Sequence, residues 1–411
     1  MTFDAEALRK DFPVLVQDWG DRPPLVYLDN ACMSLKPRSV IDAVTEYYER
    51  YPACSGRSVH RLATEVTLRV DRARESLAHF IGSPRADDVI IVRNSTEALN
   101  IVARGIGLGR GDAVLVSDRE HNSNLVPWLV QAQALGSKVR PVPSQSDGTF
   151  DLDRLQEALA PGDVRMVSFV HTTNLDGYTY PLREIAELAH DKGALVMTDA
   201  AQSAPHQPID VRRLGVDFLA LSVHKMLGPT ATGALWGRQD ALAALAPYNV
   251  GGSTVANVSY DGVELLPAPY RFEAGLQDYA GMFGIEPALA YLDRLGMDEV
   301  HAHDVELNRL ATRAVEDIDG LRVLGPDDPS MRGGILTFVV DGLEVHDIAM
   351  TLDELGNVAT RSGMHCTHAW YKSHGLNGSV RASFYLYNTA QDVEAFASVL
   401  RTSVSILRGG S

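Results

Sequence analysis

Cysteine is scarce in this sequence of 411 residues, which contains only Cys32, Cys54 and Cys366. An odd and sparse set excludes a disulfide-stapled scaffold and is typical of a reducing compartment, so we expect a cytoplasmic protein with one working thiol. The sequence also lacks any apolar stretch near the roughly 20 residues that a membrane span needs. Its first residues carry acids where a secretory signal would carry an apolar core, so no such signal is expected.

An excess of basic residues is also missing. Lys and Arg number 37 against 53 Asp and Glu, which gives a formal net charge of −16. Such a chain repels phosphate backbones and anionic lipids, so we expect neither a nucleic-acid nor a membrane partner. Hydrophobic residues make up 45% and charged residues 22%, as in ordinary soluble globular proteins. The length favours two or three domains.

Short apolar runs alternate with amphipathic segments from about residue 88 to residue 237. The Val, Ile and Leu runs show no polar alternation, which predicts strands buried on both faces of a mostly parallel sheet covered by helices. This α/β pattern ends after about residue 240, and a second, mixed unit is predicted to follow. Its predicted helices span 282–296, 346–356 and 390–407, and its predicted strands span 333–342 and 380–388.

Polar residues follow each predicted strand of the first unit, where ligands bind in open α/β sheets. Asn94 stands three residues before Glu97, a capping-box spacing that predicts a helix N-terminus able to bind phosphate. Asp199 and Lys225 each follow other strands. Taken singly, these residues could equally be a helix cap, a turn residue and a solvated lysine.

Together, these features match the needs of an enzyme that uses pyridoxal phosphate (PLP). Such an enzyme requires a phosphate cradle, a carboxylate that pairs with the pyridinium nitrogen and a lysine that forms a Schiff base. The phosphate site, Asp199 and Lys225 supply these three parts.

The sequence resembles the fold-type I, class V PLP-dependent enzymes, and most of all the SUF-type (group II) cysteine desulfurases and selenocysteine lyases. The resemblance runs nearly end to end and is carried by a series of motifs: YLDNA (27–31), RSVHRLATEVT (57–67), NSTEALN (94–100), EHNSNLVPW (120–128), TDAAQSAPH (198–206), SVHKMLGPTATGALWGR (222–238), RFEAG (271–275), RSGMHC (361–366) and RASFYLYNT (381–389). It implies a large domain with a mostly parallel seven-stranded sheet over 26–275, a smaller α+β domain over 276–411, and an N-terminal segment, 1–25, that packs with the small domain.

The resemblance also implies a role for individual residues. Lys225 would carry PLP, Asp199 would pair with its pyridinium nitrogen, and His121 would stack on its ring and shuttle protons. Arg381, with Arg361 and Asn174, would bind the substrate, Arg381 clamping the α-carboxylate. The remaining cofactor contacts are hydrogen bonds to the ring hydroxyl from Asn174 and Gln202, and phosphate contacts from Ser95, Thr96, Ser222 and His224.

Cys366 lies five residues after Arg361, where group II desulfurases carry their sulfur-accepting cysteine. Cationic neighbours such as Arg361 or a protonated His365 would favour its thiolate. Alternatives are an inert buried cysteine, or a metal site formed by His365, Cys366, His368 and His374, whose spacing does not suit one tetrahedral ion. We therefore expect no metal.

One position departs from the family pattern. After RFEAG the family usually has a threonine that reaches the partner subunit's PLP phosphate, but this chain has Leu276. Leucine has no hydroxyl, so Gln277, a backbone N–H group or another residue would have to replace that contact. Cys32 and Cys54 match no functional position and stay unassigned.

The leading hypothesis is a PLP-dependent cysteine desulfurase. It converts L-cysteine or a related amino acid to L-alanine and leaves a persulfide on Cys366 for a sulfur-acceptor protein, as in iron–sulfur cluster assembly. The resemblance also implies a homodimer. The alternatives are a PLP-dependent C–S or C–Se lyase, epimerase or aminotransferase of a specialised pathway, or a non-enzymatic or metal-binding protein that retains the fold.

Overall fold

The computed structural model describes residues 3–409. Its α-helices are α1 (Ala5–Arg9), α2 (Pro13–Val16), α3 (Arg38–Arg50), α4 (Arg61–Phe80), α5 (Ser95–Gly105), α6 (Asn122–Leu135), α7 (Leu152–Leu159), α8 (Leu182–His190), α9 (Val211–Leu214), α10 (Gln239–Ala244), α11 (Tyr279–Phe283), α12 (Ile285–Leu295), α13 (Met297–Val315), α14 (Val345–Gly356), α15 (His368–Ser373) and α16 (Ala390–Gly409). Its strands are β1 (Val26–Tyr27), β2 (Val89–Val92), β3 (Ala113–Ser117), β4 (Lys138–Val142), β5 (Val164–Val170), β6 (Leu195–Asp199), β7 (Phe218–Ser222), β8 (Gly233–Gly237), β9 (Val255–Ser259), β10 (Gly262–Leu265), β11 (Leu321–Val323), β12 (Ile335–Val340), β13 (Val358–Ala359), β14 (Arg361–Gly363) and β15 (Ser379–Ser383).

A seven-stranded sheet forms the centre of the larger part of the molecule, in the order β2-β8-β7-β6-β5-β3-β4. Strands β3 to β7 pair in parallel, while β8 runs antiparallel to both of its neighbours. Every residue of β2, β3, β7 and β8 is buried, because helices cover both faces of the sheet. The predicted α/β fold with a mostly parallel sheet is confirmed.

A smaller sheet in the C-terminal part has the antiparallel order β11-β12-β15-β14. Helices α13, α14 and α16 contribute apolar side chains to its separate core. The first part of the chain contacts this region: β1 pairs in parallel with β13, and Arg9 of α1 forms an ion pair with Asp392 of α16 at 2.8 Å.

Two predicted elements differ from the structure. The predicted helix 282–296 is broken at Gly284, which separates α11 from α12; a Cβ atom there would lie 2.4 Å from Cγ of Pro229. The predicted strand 380–388 ends at Ser383, because the chain then turns with a hydrogen bond from the Asn388 N–H to the Tyr385 carbonyl.

Candidate active site

Lys225 lies on a single 3-10 turn, Val223–Lys225, that directly follows buried β7. The N–H groups of Met226 and Gly228 both donate to the Val223 carbonyl and fold the chain tightly. Residue 228 must be glycine here, because a Cβ atom would lie 2.4 Å from Cγ1 of Val223. This tight turn places Lys225 at the carboxyl end of the sheet.

A small cavity opens at this end of the sheet. Six residues that the sequence predicted as site residues line it together with Val170 and Ala201: Ser95, His121, Asn174, Asp199, Gln202 and Lys225. They come from five segments at the ends of five different strands, so only the sheet brings them together. The predicted residues Thr96, Ser222, His224, Arg361, Cys366 and Arg381 lie outside the lining of this cavity.

Burial shifts the pKa values of the two central groups, Lys225 and Asp199, in opposite directions. Burial lowers the pKa of Lys225 to about 8, and the negative charge of Asp199 opposes this fall. Burial raises the pKa of Asp199, and the charge of Lys225 and a hydrogen bond from the Ala201 N–H at 3.0 Å oppose this rise. A larger fraction of Lys225 is therefore a neutral amine near neutral pH than for an ordinary lysine, and the neutral amine is the form that makes a Schiff base.

His121 is the N-cap residue of α6, where its Nδ1 atom accepts a hydrogen bond from the Ser123 N–H at 3.1 Å. Burial lowers the pKa of His121 to about 3, and the charges of Lys225, Arg381 and Arg361 add to the effect. The imidazole is therefore neutral at physiological pH. A neutral aromatic ring on the cavity wall can stack on a flat ligand.

The N-terminus of α5 reaches the cavity through Ser95. The Asn94 side chain caps the helix by accepting from the Glu97 N–H at 3.0 Å, as predicted. Glu97 accepts from the Arg93 N–H at 2.7 Å instead of the Asn94 N–H, so the reciprocal bond of the predicted capping box is shifted by one residue. Gly233 of β8 allows this approach, because a Cβ atom there would lie 2.6 Å from the Asn94 Cα atom.

The residues predicted to hold phosphate are linked around this helix end. The Ser95 N–H donates to Ser222 Oγ at 3.0 Å, and the Ser222 hydroxyl donates to Ser95 Oγ at 3.0 Å. The exposed Thr96 hydroxyl lies 2.6 Å from Ser123 Oγ. The backbone carbonyl of His224 accepts hydrogen bonds from the Ser34 hydroxyl and from Lys36 Nζ.

Two buried amide oxygens in the cavity wall have no protein partner among residues 3–409. Asn174 donates to the His365 carbonyl at 2.6 Å and Gln202 donates to the Ala31 carbonyl at 2.6 Å, which leaves Asn174 Oδ1 and Gln202 Oε1 unpaired. Buried polar atoms are normally paired, so these oxygens indicate a ligand. PLP fits, because its ring hydroxyl, pyridinium nitrogen and aldehyde would meet these amides, Asp199 and Lys225 respectively.

The loop that carries Cys366 is anchored to the cavity wall. Cys366 accepts at its carbonyl from the Asn122 N–H at 2.7 Å, and the preceding carbonyl, of His365, accepts from Asn174. His365 and Cys366 both adopt the left-handed conformation, with φ of 47° and 60°. Such strain in non-glycine residues persists where the surroundings hold it, often at functional sites.

Of the two cationic neighbours considered for Cys366, His365 does not serve. Burial and the charges of Arg381 and Arg361 lower its pKa to about 2, so its ring is neutral. Arg361 is the cation beside the thiol, with a guanidinium nitrogen 4.0 Å from Cys366 Sγ.

Arg381 lies on β15 directly opposite Arg361 of β14, and it is only 1% exposed. Its guanidinium donates to the Asn174 carbonyl at 2.9 Å and approaches Asp29 at 3.5 Å. Arg381 Nε has no partner among the described residues. Two opposed guanidinium groups and an unpaired N–H group suit the binding of a carboxylate.

Sequence reasoning missed three residues that support the site: Asp29, Lys36 and Glu120. Asp29 is the counter-ion of Arg381, and its place in YLDNA was the only available signal. Glu120, beside His121, is buried and accepts from the Val170 N–H at 2.9 Å and from Ser117. Burial raises the pKa of Glu120 to about 7.

The four residues weighed as a metal site have other partners. His365 contacts Ser379, His368 contacts Asn122, and His374 stacks on Trp370. Within residues 3–409, no group of three His, Cys, Asp or Glu side chains is arranged to hold a metal ion. The three cysteines are free thiols, with Cys54 exposed and the other two partly buried.

The family model for class V aminotransferases matches residues 26–396. The chain belongs to this family. The match covers both the sheet that builds the cavity and the C-terminal part that carries Cys366 and Arg381, so the resemblance predicted from the motifs is confirmed.

Proteins that are similar to this chain over nearly its whole length include cysteine desulfurases from several organisms. A probable cysteine desulfurase from Streptomyces coelicolor is 41% identical over 404 residues, which cover 97% of this chain and 96% of the relative. A solved cysteine desulfurase from Escherichia coli is 34% identical with a TM-score of 0.91, covering 99% of this chain and 100% of that one. The solved apo cysteine desulfurase from Thermococcus onnurineus is 34% identical with a TM-score of 0.92, covering 98% of both chains.

These likenesses confirm the prediction of a fold-type I, class V enzyme of the cysteine desulfurase type. None of the helices between residues 3 and 409 has the length and apolar character of a membrane span.

Proposed function

We propose that this protein is a PLP-dependent cysteine desulfurase that converts L-cysteine to L-alanine and transfers the sulfur to Cys366. The observation that carries the proposal is the joining of two parts of the chain. Asn122 and Asn174 hold the Cys366 loop against the wall of the cavity that contains Lys225 and Asp199. This arrangement supports a reaction in which the Cys366 thiol reaches a substrate held at Lys225.

PLP, when bound, draws electrons from the Cα atom of the amino acid. Lys225 would hold the cofactor, Asp199 would pair with its pyridinium nitrogen, and the neutral ring of His121 would stack on it. Gln202 and Asn174 have buried oxygens free for its polar ring substituents. Ser95, Thr96, Ser222 and His224 would hold the phosphate at the N-terminus of α5, where the helix dipole favours an anion.

Each reacting residue has a defined task. Arg381 binds the α-carboxylate of cysteine, and Lys225 accepts the Cα proton as a neutral amine. The thiolate of Cys366 then attacks the substrate sulfur, so that an S–S bond forms and the Cβ–S bond breaks. The electron pair of the broken bond stays with the carbon skeleton, which takes up the proton of the substrate thiol at Cβ and the proton held by Lys225 at Cα, and leaves as alanine. Arg361, beside Cys366 Sγ, stabilises the negative charge on sulfur.

The experiment incubates the purified PLP-loaded protein with L-cysteine and measures alanine. Cys366→Ala is expected to abolish alanine formation, while exposed Cys54→Ala leaves it unchanged. Release of pyruvate by the Cys366→Ala variant at the wild-type rate would instead indicate a C–S lyase that eliminates sulfide. A colourless wild-type protein that takes up no PLP would contradict the proposal.

We also propose a homodimer whose sites lie near the subunit interface. Support comes from an exposed apolar surface formed by the β9–β10 hairpin and the neighbouring loop: Val258 is 65% exposed, Val263 60% and Leu276 75%, and Tyr260 at the hairpin tip is fully exposed. Surfaces of this kind mark protein interfaces. The test is the sedimentation of the Tyr260→Glu variant. A monomer would support this interface, and an unchanged dimer would contradict it.

The remaining assignments are part of the same proposal. The chain divides into an N-terminal segment (1–25), a large PLP-binding domain (26–275) and a small domain (276–411). The persulfide is passed to a sulfur-acceptor protein for uses such as iron–sulfur cluster assembly. A cytoplasmic location is supported by the three free thiols, which a reducing compartment maintains.

A further inference from the structure

We propose that Lys36, together with Ser34, is a positioning residue that clamps the turn carrying Lys225 and thereby sets the reactivity of its amine. This inference rests on the proposed role of Lys225. It concerns a residue far from Lys225 in sequence that does not line the cavity.

The clamp is made of hydrogen bonds on both sides of Lys225. Lys36 Nζ donates to the His224 carbonyl at 2.7 Å, immediately before Lys225. The Ser34 hydroxyl donates to the same carbonyl at 3.2 Å. On the other side of Lys225, the Leu227 N–H donates to Ser34 Oγ at 2.9 Å. The segment from Ser34 to Lys36 therefore holds the backbone before and after the reactive residue.

The turn needs such support from outside. It consists of one 3-10 turn followed by Leu227, which has a φ of 63°. A branched residue in the left-handed conformation costs free energy and persists only where its surroundings impose it. The bond from the Leu227 N–H to buried Ser34 provides one such constraint.

Lys36 is not placed as an ordinary surface lysine or as an ion-pair partner. Its ammonium group also donates to the Ser34 carbonyl at 2.5 Å and to the Ser34 hydroxyl at 3.5 Å, so its hydrogen bonds go to uncharged oxygens. Burial lowers the pKa of Lys36 to about 7, and no carboxylate among the described residues opposes this fall. A partly buried lysine without a counter-ion destabilises the fold, and a role in holding the turn explains its place.

The test compares Lys36→Met with wild type in two assays. The first follows binding of PLP to cofactor-free protein by visible absorbance. Lys36→Met is expected to slow formation of the lysine-bound cofactor by ~10-fold, the effect of about one lost hydrogen bond. Lys36→Gln, which keeps an N–H donor, should recover part of the rate, and Ser34→Ala should show a smaller defect.

The second assay needs no cofactor. Acetic anhydride labels Lys225 in the cofactor-free protein between about pH 6 and 10, and peptide mass spectrometry gives the midpoint of its titration. Because burial lowers the pKa of Lys225, a turn released by Lys36→Met should expose the amine and raise this midpoint by ~1 unit. A merely structural contact elsewhere would lower thermal stability without moving the midpoint.

The matched control is Lys192→Met, which removes an exposed lysine after α8 and should change neither assay. The proposal would be overturned if Lys36→Met bound PLP at a rate within twofold of wild type and its Lys225 labelling midpoint lay within ~0.2 units of wild type. This holds whatever the effect of the substitution on stability. If Lys36→Met does not fold, Ser34→Ala tests the proposal through the same PLP-binding rate and Lys225 labelling midpoint. Failure of wild type to bind PLP would count against the proposed function, while the labelling assay would still decide on the clamp.

Discussion

Replacement of Arg381 by lysine should weaken the binding of L-cysteine while leaving the other chemistry of the site in place. Arg381 is 1% exposed, donates to the Asn174 carbonyl and has an unpaired Nε–H group. A guanidinium group can give a carboxylate two parallel hydrogen bonds, whereas an ammonium group acts as a point charge and gives one.

The magnitude follows from the loss of one hydrogen bond to a charged group. Such a bond contributes ~1.5–3 kcal/mol, and ~1.4 kcal/mol corresponds to a factor of ten. We therefore expect Arg381→Lys to raise the KM for L-cysteine by roughly 10- to 150-fold. The kcat should change much less, because the carboxylate is bound equally in the ground state and the transition state.

The assay is steady-state formation of alanine from L-cysteine at fixed pH. Cysteamine, which is cysteine without the carboxylate, serves as a probe of the same site and should react with Arg381→Lys as slowly as with wild type. The control Arg322→Lys changes an exposed arginine of β11 and should leave KM unchanged. A KM for Arg381→Lys within twofold of wild type would refute the assignment of the carboxylate clamp.

Three further outcomes are expected. Arg74→Met should lower the free energy of unfolding by ~3–5 kcal/mol in urea titrations, because it leaves Glu273 as a buried unpaired charge after loss of bonds of 2.7 and 2.9 Å. Asp199→Asn should lower the pKa of Lys225 below about 8, since the Asp199 charge raises it; acetylation of Lys225 across pH in cofactor-free protein measures the shift. Cys366→Ser should keep PLP binding, measured by visible absorbance, yet lose alanine formation by at least ~100-fold, because a hydroxyl is a far weaker sulfur acceptor.

Each of these outcomes has a control. For the buried pair, Arg212→Met removes an exposed ion pair and should lower the free energy of unfolding far less; equal losses from the two variants would contradict the prediction. For Lys225, an unchanged or raised titration midpoint in Asp199→Asn would contradict the electrostatic coupling. For Cys366, wild-type alanine formation by the serine variant would remove the thiol from the reaction.

The sheet and the centre of the site follow from local sequence signals. Unbroken Val and Ile runs predict strands covered on both faces, and the structure has them. Lys225 and Asp199 stand directly after two of these runs, so the parallel sheet alone predicts that both lie at one edge.

Other parts of the site could not be read from local pattern. Asp29 meets Arg381 across 352 residues, and Lys36 meets His224 across 188. These contacts depend on how residues 29–36 pass between both parts of the molecule. The neutral state of His365 follows from its burial beside two arginines, which composition and spacing do not reveal.

The most direct test of the central claim is the location of the sulfur after one turnover. PLP-loaded protein mixed with L-cysteine is quenched with an alkylating reagent, and each cysteine peptide is examined by mass spectrometry. We expect one extra sulfur atom on Cys366, none on Cys32 or Cys54, and one alanine for each persulfide formed. Pyruvate and free sulfide with an unmodified Cys366 would contradict it.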